Sequence, residues 1–307
     1  QERHGWTIQR EDICFIPGVV TGLNLVCQAA AQPGESILMQ PPIYPPFLAV
    51  PGNANVKAIY NEVKPGSGGV YEVDLEDFER GIQTDTRCFM LCNPHNPVGR
   101  VYSRDELSAM AEICLRHRMV ICSDEIHSDL IYSGHRHTPI ASIDKEIENH
   151  CVTLLAPSKT FNIPGLECSV LICKNAEIRK QIEAAQRGLM GYVNILGITA
   201  AEAAYQLGDR WLSEVLALLE VNCDYLYEYL AENIPQIKMV KPQGTYLAWL
   251  DCRSLELPLP PQRFFLERAK VALNEGAEFG APGRGFVRLN FACSREILTD
   301  ALERMTA

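Results

Sequence analysis

Three short apolar runs in this chain end in polar residues whose types could do chemistry together. CFMLC runs into NPHNPVG, MVICS runs into DEIH, and CVTLLA runs into PSKTFN. The first delivers Asn96 between Pro94 and Pro97, two residues that fix the backbone; they either hold one amide rigidly toward a ligand or simply make a turn. The second delivers Asp124, Glu125 and His127, and a carboxylate buried there needs a cationic partner. The third delivers Lys159 after Pro157 and Ser158, an amine that desolvation would make nucleophilic. Each alone is ordinary. Together, an amine, a carboxylate and an amide on three strand tips are what holds a pyridinium ring that is covalently tethered, protonated at nitrogen and hydrogen-bonded at its phenolic oxygen. IPGVVTGLNLVCQAA adds a glycine ahead of a helix, where free N–H groups and the dipole favour a phosphate.

For these tips to meet, the runs must be strands of one sheet. SILMQ, VKAIY, TRCFMLC, MVICSD, CVTLLA and CSVLICK alternate with longer amphipathic stretches between Gly18 and about Lys174. That is the pattern of a buried, mostly parallel α/β sheet, in which ligands lie beyond the carboxyl ends of the strands. SRDELSAMAEICLRHR reads as a crossover helix with Ser103 as N-cap, Glu106 at capping-box spacing, and Leu107, Met110, Ala111 and Cys114 on its apolar face. Two further helices are expected, from Tyr192 to Leu207 and from Asp209 to Asn233. The character then changes to IKMV, TYLAWLD, a helix from Pro261 to Leu273, the strand GFVRLN and a last helix from Ser294. This predicts a large domain over 1–207 and a smaller α+β domain over 208–307. PGSGG at 65–69 reads as a surface turn and LELPLPP as a connecting loop.

Composition narrows the partners. A formal charge of -10 and a pI near 5.3 argue against nucleic acid, which needs a basic surface. The longest apolar stretch, Ile13 to Ala31, is interrupted by Thr21, Asn24 and Gln28, so no membrane helix is expected. The opening QERHGWTIQRED lacks the features of a secretory signal and reads as the inside of a longer protein. The twelve cysteines include no C-x-x-C pair, and most sit in apolar runs; buried free thiols in a reducing cytoplasm are the expectation. No metal is expected at Asp124, Glu125 and His127, where only one histidine lies nearby, and His135 and His137 read as part of a polar loop.

In their order and spacing, PGVVTGL, QPPIYPPF, CNPHNPVGRVYSRDEL, SDEIHSDL, APSKTFNIPGL, TYLAWLD and GRGFVRLNFAC resemble the aminotransferase-related fold-type-I family, and more closely its MalY/PatB-type cystathionine β-lyase branch. The resemblance covers essentially the whole chain. It implies a three-layer α/β/α large domain with a smaller C-terminal domain, pyridoxal 5′-phosphate as cofactor, and a homodimer built around a two-fold interface. Carried onto this sequence, it implies that Lys159 bears the cofactor covalently and later acts as acid and base at the substrate α-carbon. Asp124 would pair with the pyridine nitrogen, Asn96 would bond the phenolic oxygen, and His127 stands where many relatives have a tyrosine in a similar contact. Tyr44 would stack on the ring; the N–H groups of Val19 and Val20, with Ser158, would hold the phosphate; Arg288 would grip the substrate α-carboxylate. The chain departs from the family at Ala156, where many aminotransferases have a serine, and at Glu167, in place of a phosphate-binding arginine. The resemblance also implies a segment ahead of Gln1 that packs on the small domain and lends the neighbouring subunit an active-site tyrosine.

The reaction implied is removal of the substrate α-proton followed by loss of a thiolate from the β-carbon, giving thiol, pyruvate and ammonia from cystathionine or a cysteine S-conjugate. An aminotransferase uses the same residues and is the alternative enzyme reading. A regulatory or inactive homologue that works only through protein contacts is a third.

Overall fold

The computed structural model describes residues 3–66, 69–186, 188 and 190–306; the centre of the expected PGSGG turn lies outside them. The strands are β1 (Ile13–Ile16), β2 (Ser36–Met39), β3 (Lys57–Tyr60), β4 (Lys64–Pro65), β5 (Tyr71–Glu72), β6 (Thr86–Cys92), β7 (Val120–Asp124), β8 (Cys151–Leu155), β9 (Ser169–Ile172), β10 (Lys238–Met239), β11 (Leu247–Asp251), β12 (Asn274–Glu275) and β13 (Phe286–Asn290). The α-helices are α1 (Val19–Ala30), α2 (Pro45–Ala54), α3 (Leu75–Gly81), α4 (Arg104–Arg116), α5 (Lys145–His150), α6 (Pro157–Thr160), α7 (Ala176–Gln186), α8 (Ile195–Leu207), α9 (Asp209–Asn233), α10 (Pro261–Phe264) and α11 (Arg295–Thr306).

Seven strands form one sheet in the order β1-β9-β8-β7-β6-β2-β3. All pairs from β8 through β3 are parallel, whereas β9 runs antiparallel to both β8 and β1. Side chains alternate across the pleat. Cys88, Met90 and Cys92 of β6 join Leu23, Val26, Phe47 and Ile182 on the face covered by α1, α2 and α7. Phe89 and Leu91 join Phe78, Leu107, Met110 and Ile147 on the face covered by α3, α4 and α5. Covering both faces is why these strands read as continuous apolar runs rather than alternating ones. At Gly22 a Cβ would come within 2.7 Å of Ile16 Cδ1 and Leu154 Cδ2, so glycine lets α1 lie close on the sheet with its amino end at the strand tips.

The crossover helix α4 has the expected start: Ser103 Oγ accepts from the Glu106 N–H at 3.2 Å, and Glu106 Oε2 accepts from the Ser103 N–H at 2.7 Å. The second sheet, β10-β11-β13-β12, is antiparallel and packs with α9 and α11 around Leu219, Leu226, Leu250, Val287 and Leu302. The helix expected through Leu273 stops sooner: after α10 the backbone widens to a π-turn over Phe265–Ala269 and ends with Lys270 at φ 57°. That early end frees residues 271–275 to return as β12 along the edge of β13. Among the described residues no helix is long and apolar enough to cross a membrane. All twelve cysteines are unpaired, and only Cys14 and Cys293 are more than marginally exposed.

Candidate active site

A cavity of about 320 Å³ opens at the carboxyl ends of β6 and β7, beside the first turn of α1 and facing β13. Of the residues singled out in the sequence, Val19, Val20, Tyr44, Asn96, Asp124, His127, Lys159 and Arg288 all line it. Ser158 does not; it sits half-buried on the same short turn as Lys159, with its side chain outside the lining. A larger cavity of about 590 Å³ runs along β1 and residues 179–198 and holds none of these groups.

Asp124 ends β7 and is almost fully buried. Among the described residues its Oδ1 accepts only the Ile126 N–H, at 3.1 Å. Burial pushes its carboxyl up to about 7, the Ile126 hydrogen bond pulls it back in part, Glu125 raises it further and Lys159 lowers it. Among the described residues this carboxylate makes no salt bridge, and a cationic ring nitrogen would supply the partner. His127, also buried, has no hydrogen-bond partner for Nδ1 among the described residues. Burial, with the charges of Lys159 and Arg288, pushes it down to about 3, so it is a neutral ring whose Nδ1 remains available to a ligand. Its ring meets Tyr246 edge-on at 5.6 Å.

The DEIH residues divide. Asp124 and His127 face the cavity, while Glu125 turns away and takes hydrogen bonds from Ser123 Oγ at 2.9 Å, the Ile140 N–H at 3.2 Å and His137 Nε2 at 2.8 Å. The polar-loop reading is therefore corrected for His137, which is 4% exposed and closes a buried network; His135 is exposed. Among the described residues no three or more His, Cys, Asp and Glu side chains gather as a metal site would require.

Lys159 stands on α6, directly after β8, where Ala156 and Pro157 turn the chain. It is half-buried and lines the cavity. Gly18 caps α1 with no side-chain hydrogen bond, which leaves the N–H groups of the first turn without helical acceptors. A Cβ at Gly18 would meet nothing within 4 Å, so the helix terminus opens onto free space able to take an anion. Tyr44 is the N-cap residue of α2 and borders the cavity half-buried.

Arg288, on β13, is the cavity's second cation. Its Nη1 donates to Asn96 Oδ1 at 2.9 Å, and its Nε and Nη2 donate to Asn274 Oδ1 at 3.2 and 2.9 Å. The guanidinium lies over the Phe279 ring, 4.7 Å from its centroid, and burial pulls its pKa below the ordinary arginine range. Because Arg288 claims the oxygen of the Asn96 amide, the Nδ2 donor is the half left for a ligand. Asn274, Tyr246 and Asn290 also line the cavity and were not anticipated as site residues. Tyr246 and Asn290 fall within TYLAWLD and FVRLN, whereas nothing in the sequence around Asn274 distinguishes it.

The cavity thus holds an amine, a buried carboxylate without a cation of its own, an amide donor, an aromatic edge, a helix amino terminus and an arginine fixed by amides. The aminotransferase class I and II family model matches residues 1–305. The chain is 41% identical to cystathionine β-lyase PatB of Bacillus subtilis, in a match covering 100% of this chain and 80% of that protein. It is 34% identical to the cystathionine β-lyase of Corynebacterium glutamicum, again over 100% of this chain and 80% of that protein. In three dimensions it resembles cystalysin from Treponema denticola, whose crystal structure contains a pyridoxal 5′-phosphate cofactor, with a TM-score of 0.96, 33% identity, and coverage of 99% of this chain and 78% of that one.

Proposed function

The chain belongs to the aminotransferase class I and II family, and from that premise we propose that it is a pyridoxal 5′-phosphate-dependent carbon–sulfur β-lyase. The substrates proposed are cystathionine or cysteine S-conjugates, which with one water give a thiol, pyruvate and ammonia. The observation that carries this reading is the convergence of Lys159, Asp124 and Asn96 on one cavity.

The residues present fit the cofactor. Lys159 would hold it covalently. Asp124 would lie against the ring nitrogen, where its buried charge gains the cation it lacks. Asn96 would donate Nδ2 to the phenolic oxygen with His127 close by, and Tyr44 would cover the ring face. The first-turn N–H groups of Val19 and Val20 would receive the phosphate, with Ser158 at the margin. When bound, the cofactor supplies an electron sink for the pair left on the substrate α-carbon.

The protein's own part is to bind, orient and move protons. Arg288 receives the α-carboxylate and so sets which substituents of the α-carbon face Lys159 and which face away. Lys159 takes the α-proton and returns a proton as the thiolate leaves. Asp124, ionised and buried, keeps the negative charge near the ring nitrogen, where solvent would otherwise dilute it. Burial of Asn96, Asp124 and His127 limits water at the reacting atoms.

The discriminating experiment is to supply the cofactor-loaded protein with cystathionine alone. Release of thiol and pyruvate with no keto acid present is the expected result. Strict dependence on an added keto acid would assign the protein to transamination instead. A homodimer in the cytoplasm belongs to the same proposal, and sedimentation at micromolar concentration tests the dimer.

A further inference from the structure

Arg288 is bound in an unusual way for a residue meant to meet a carboxylate: every hydrogen bond it makes among the described residues goes to a neutral amide oxygen. A guanidinium carries five N–H donors in a planar fork. Asn274 Oδ1 takes Nε and one donor of Nη2, and Asn96 Oδ1 takes one donor of Nη1. Phe279 covers one face of the guanidinium. What is left is one N–H on each terminal nitrogen, the pair that a carboxylate accepts side by side. Asn274 can do this because β12 pairs with β13 in a register that sets Asn274 directly opposite Arg288. That register is itself held by Gly276, where a Cβ would strike the backbone oxygens of Gly283 and Phe286.

We infer that Asn274 is a positioning residue for the substrate: by holding the Nε edge of Arg288 with a neutral oxygen, it turns the other edge toward the α-carboxylate without neutralising the arginine. Asn274 touches neither the reacting carbon nor the carboxylate. Its effect is on the angle at which the amino acid docks, and through the shared guanidinium it also fixes which half of the Asn96 amide faces the cavity. An acidic residue here would hold the same edge as well, yet would cancel the charge that the substrate seeks. The inference rests on the reading that Arg288 receives the α-carboxylate.

The test uses the full-length, cofactor-loaded protein with Asn274→Ala, Asn274→Asp and Arg288→Lys variants, following KM and kcat for cystathionine, cofactor absorbance and the melting temperature. For Asn274→Ala the expected result is a KM raised about tenfold with kcat within about threefold and the absorbance unchanged, since a hydrogen bond to a charged group is removed from the binding partner alone. Asn274→Asp, nearly the same shape, is expected to raise KM more than the alanine variant. An unchanged KM in Asn274→Ala, or an aspartate variant that binds better than the alanine one, overturns the inference. So does a joint loss of cofactor absorbance and melting temperature in both variants, which would make Asn274 merely structural. If Arg288→Lys itself leaves KM unchanged, the failure lies in the assignment of Arg288.

Discussion

Replacing Asp124 with asparagine should stabilise the cofactor-free protein at alkaline pH while removing its grip on the cofactor. In the cofactor-free protein burial raises the Asp124 carboxyl from the ordinary 3.8 to about 7. Because the folded state then holds a proton more tightly than the unfolded one, the stability this group contributes is fully present below about 3.8 and is lost as pH rises through about 7. Since a pKa shift is a differential proton affinity, the loss from this group between pH 5 and pH 8 is on the order of 2–3 kcal/mol. Asparagine has nothing to titrate, and other groups change equally in both proteins. Urea denaturation of the cofactor-free wild type and Asp124→Asn at pH 5, 6, 7 and 8 isolates the difference. The gap between them should widen by roughly 2–3 kcal/mol in favour of asparagine toward pH 8. Restoring pyridoxal 5′-phosphate to the wild type should abolish most of its decline, because a cationic ring nitrogen beside the carboxylate keeps it ionised in the folded state. Parallel pH profiles for the two cofactor-free proteins would refute both the burial argument and the pairing built on it.

Other outcomes follow from single contacts. Lys159→Ala should lose the mass increment that borohydride reduction leaves on the wild-type protein, and an adduct retained by the variant would remove Lys159 from its assigned role. Ser103→Ala, which breaks the reciprocal cap of α4, should cost about 1 kcal/mol and lower the melting temperature by roughly 2–4 °C. A thiol reagent applied to the native protein should reach at most Cys14 and Cys293, with all twelve cysteines reacting after denaturation; rapid labelling of Cys92, which pairs beside Asp124 on the neighbouring strand, would show the site to be open. His95 is pushed down to about 4 by burial and so stays neutral, with Nε2 on the Pro42 carbonyl at 2.9 Å and Nδ1 on the Tyr102 hydroxyl at 3.0 Å. His95→Leu should cost about 2–3 kcal/mol in urea denaturation, since both partners are left buried and unpaired.

How much of this was legible beforehand depended on the range of the forces involved. Strands β2, β6, β7 and β8 were readable because a sheet covered on both faces demands uninterrupted apolar residues, and their polar tips followed from where such runs must stop. The α4 cap was readable because its hydrogen bonds join residues three apart. β1 escaped notice: ICFI merges with the apolar start of α1, and only Pro17 and Gly18 separate them. The antiparallel course of β9 left no local trace, because an apolar strand reads alike in either direction. His137 looked like a loop residue because its partner, Glu125, is brought to it by the fold.

Asn274 marks the limit most clearly. Lys159, Asp124 and Asn96 each announce themselves by following an apolar run, so the rule that ligands lie beyond strand ends finds them one at a time. Asn274 instead lies within a two-residue edge strand, and its importance comes from the residue opposite, fourteen positions away along the chain. That pairing exists only because the helix after Pro261 widens and stops at Ala269, which no periodicity of apolar residues foretells. The groups that meet the ligand are therefore written as local chemistry, whereas the groups that aim them are written as register between strands. A site inferred from the first kind alone will contain the right cation and miss what orients it.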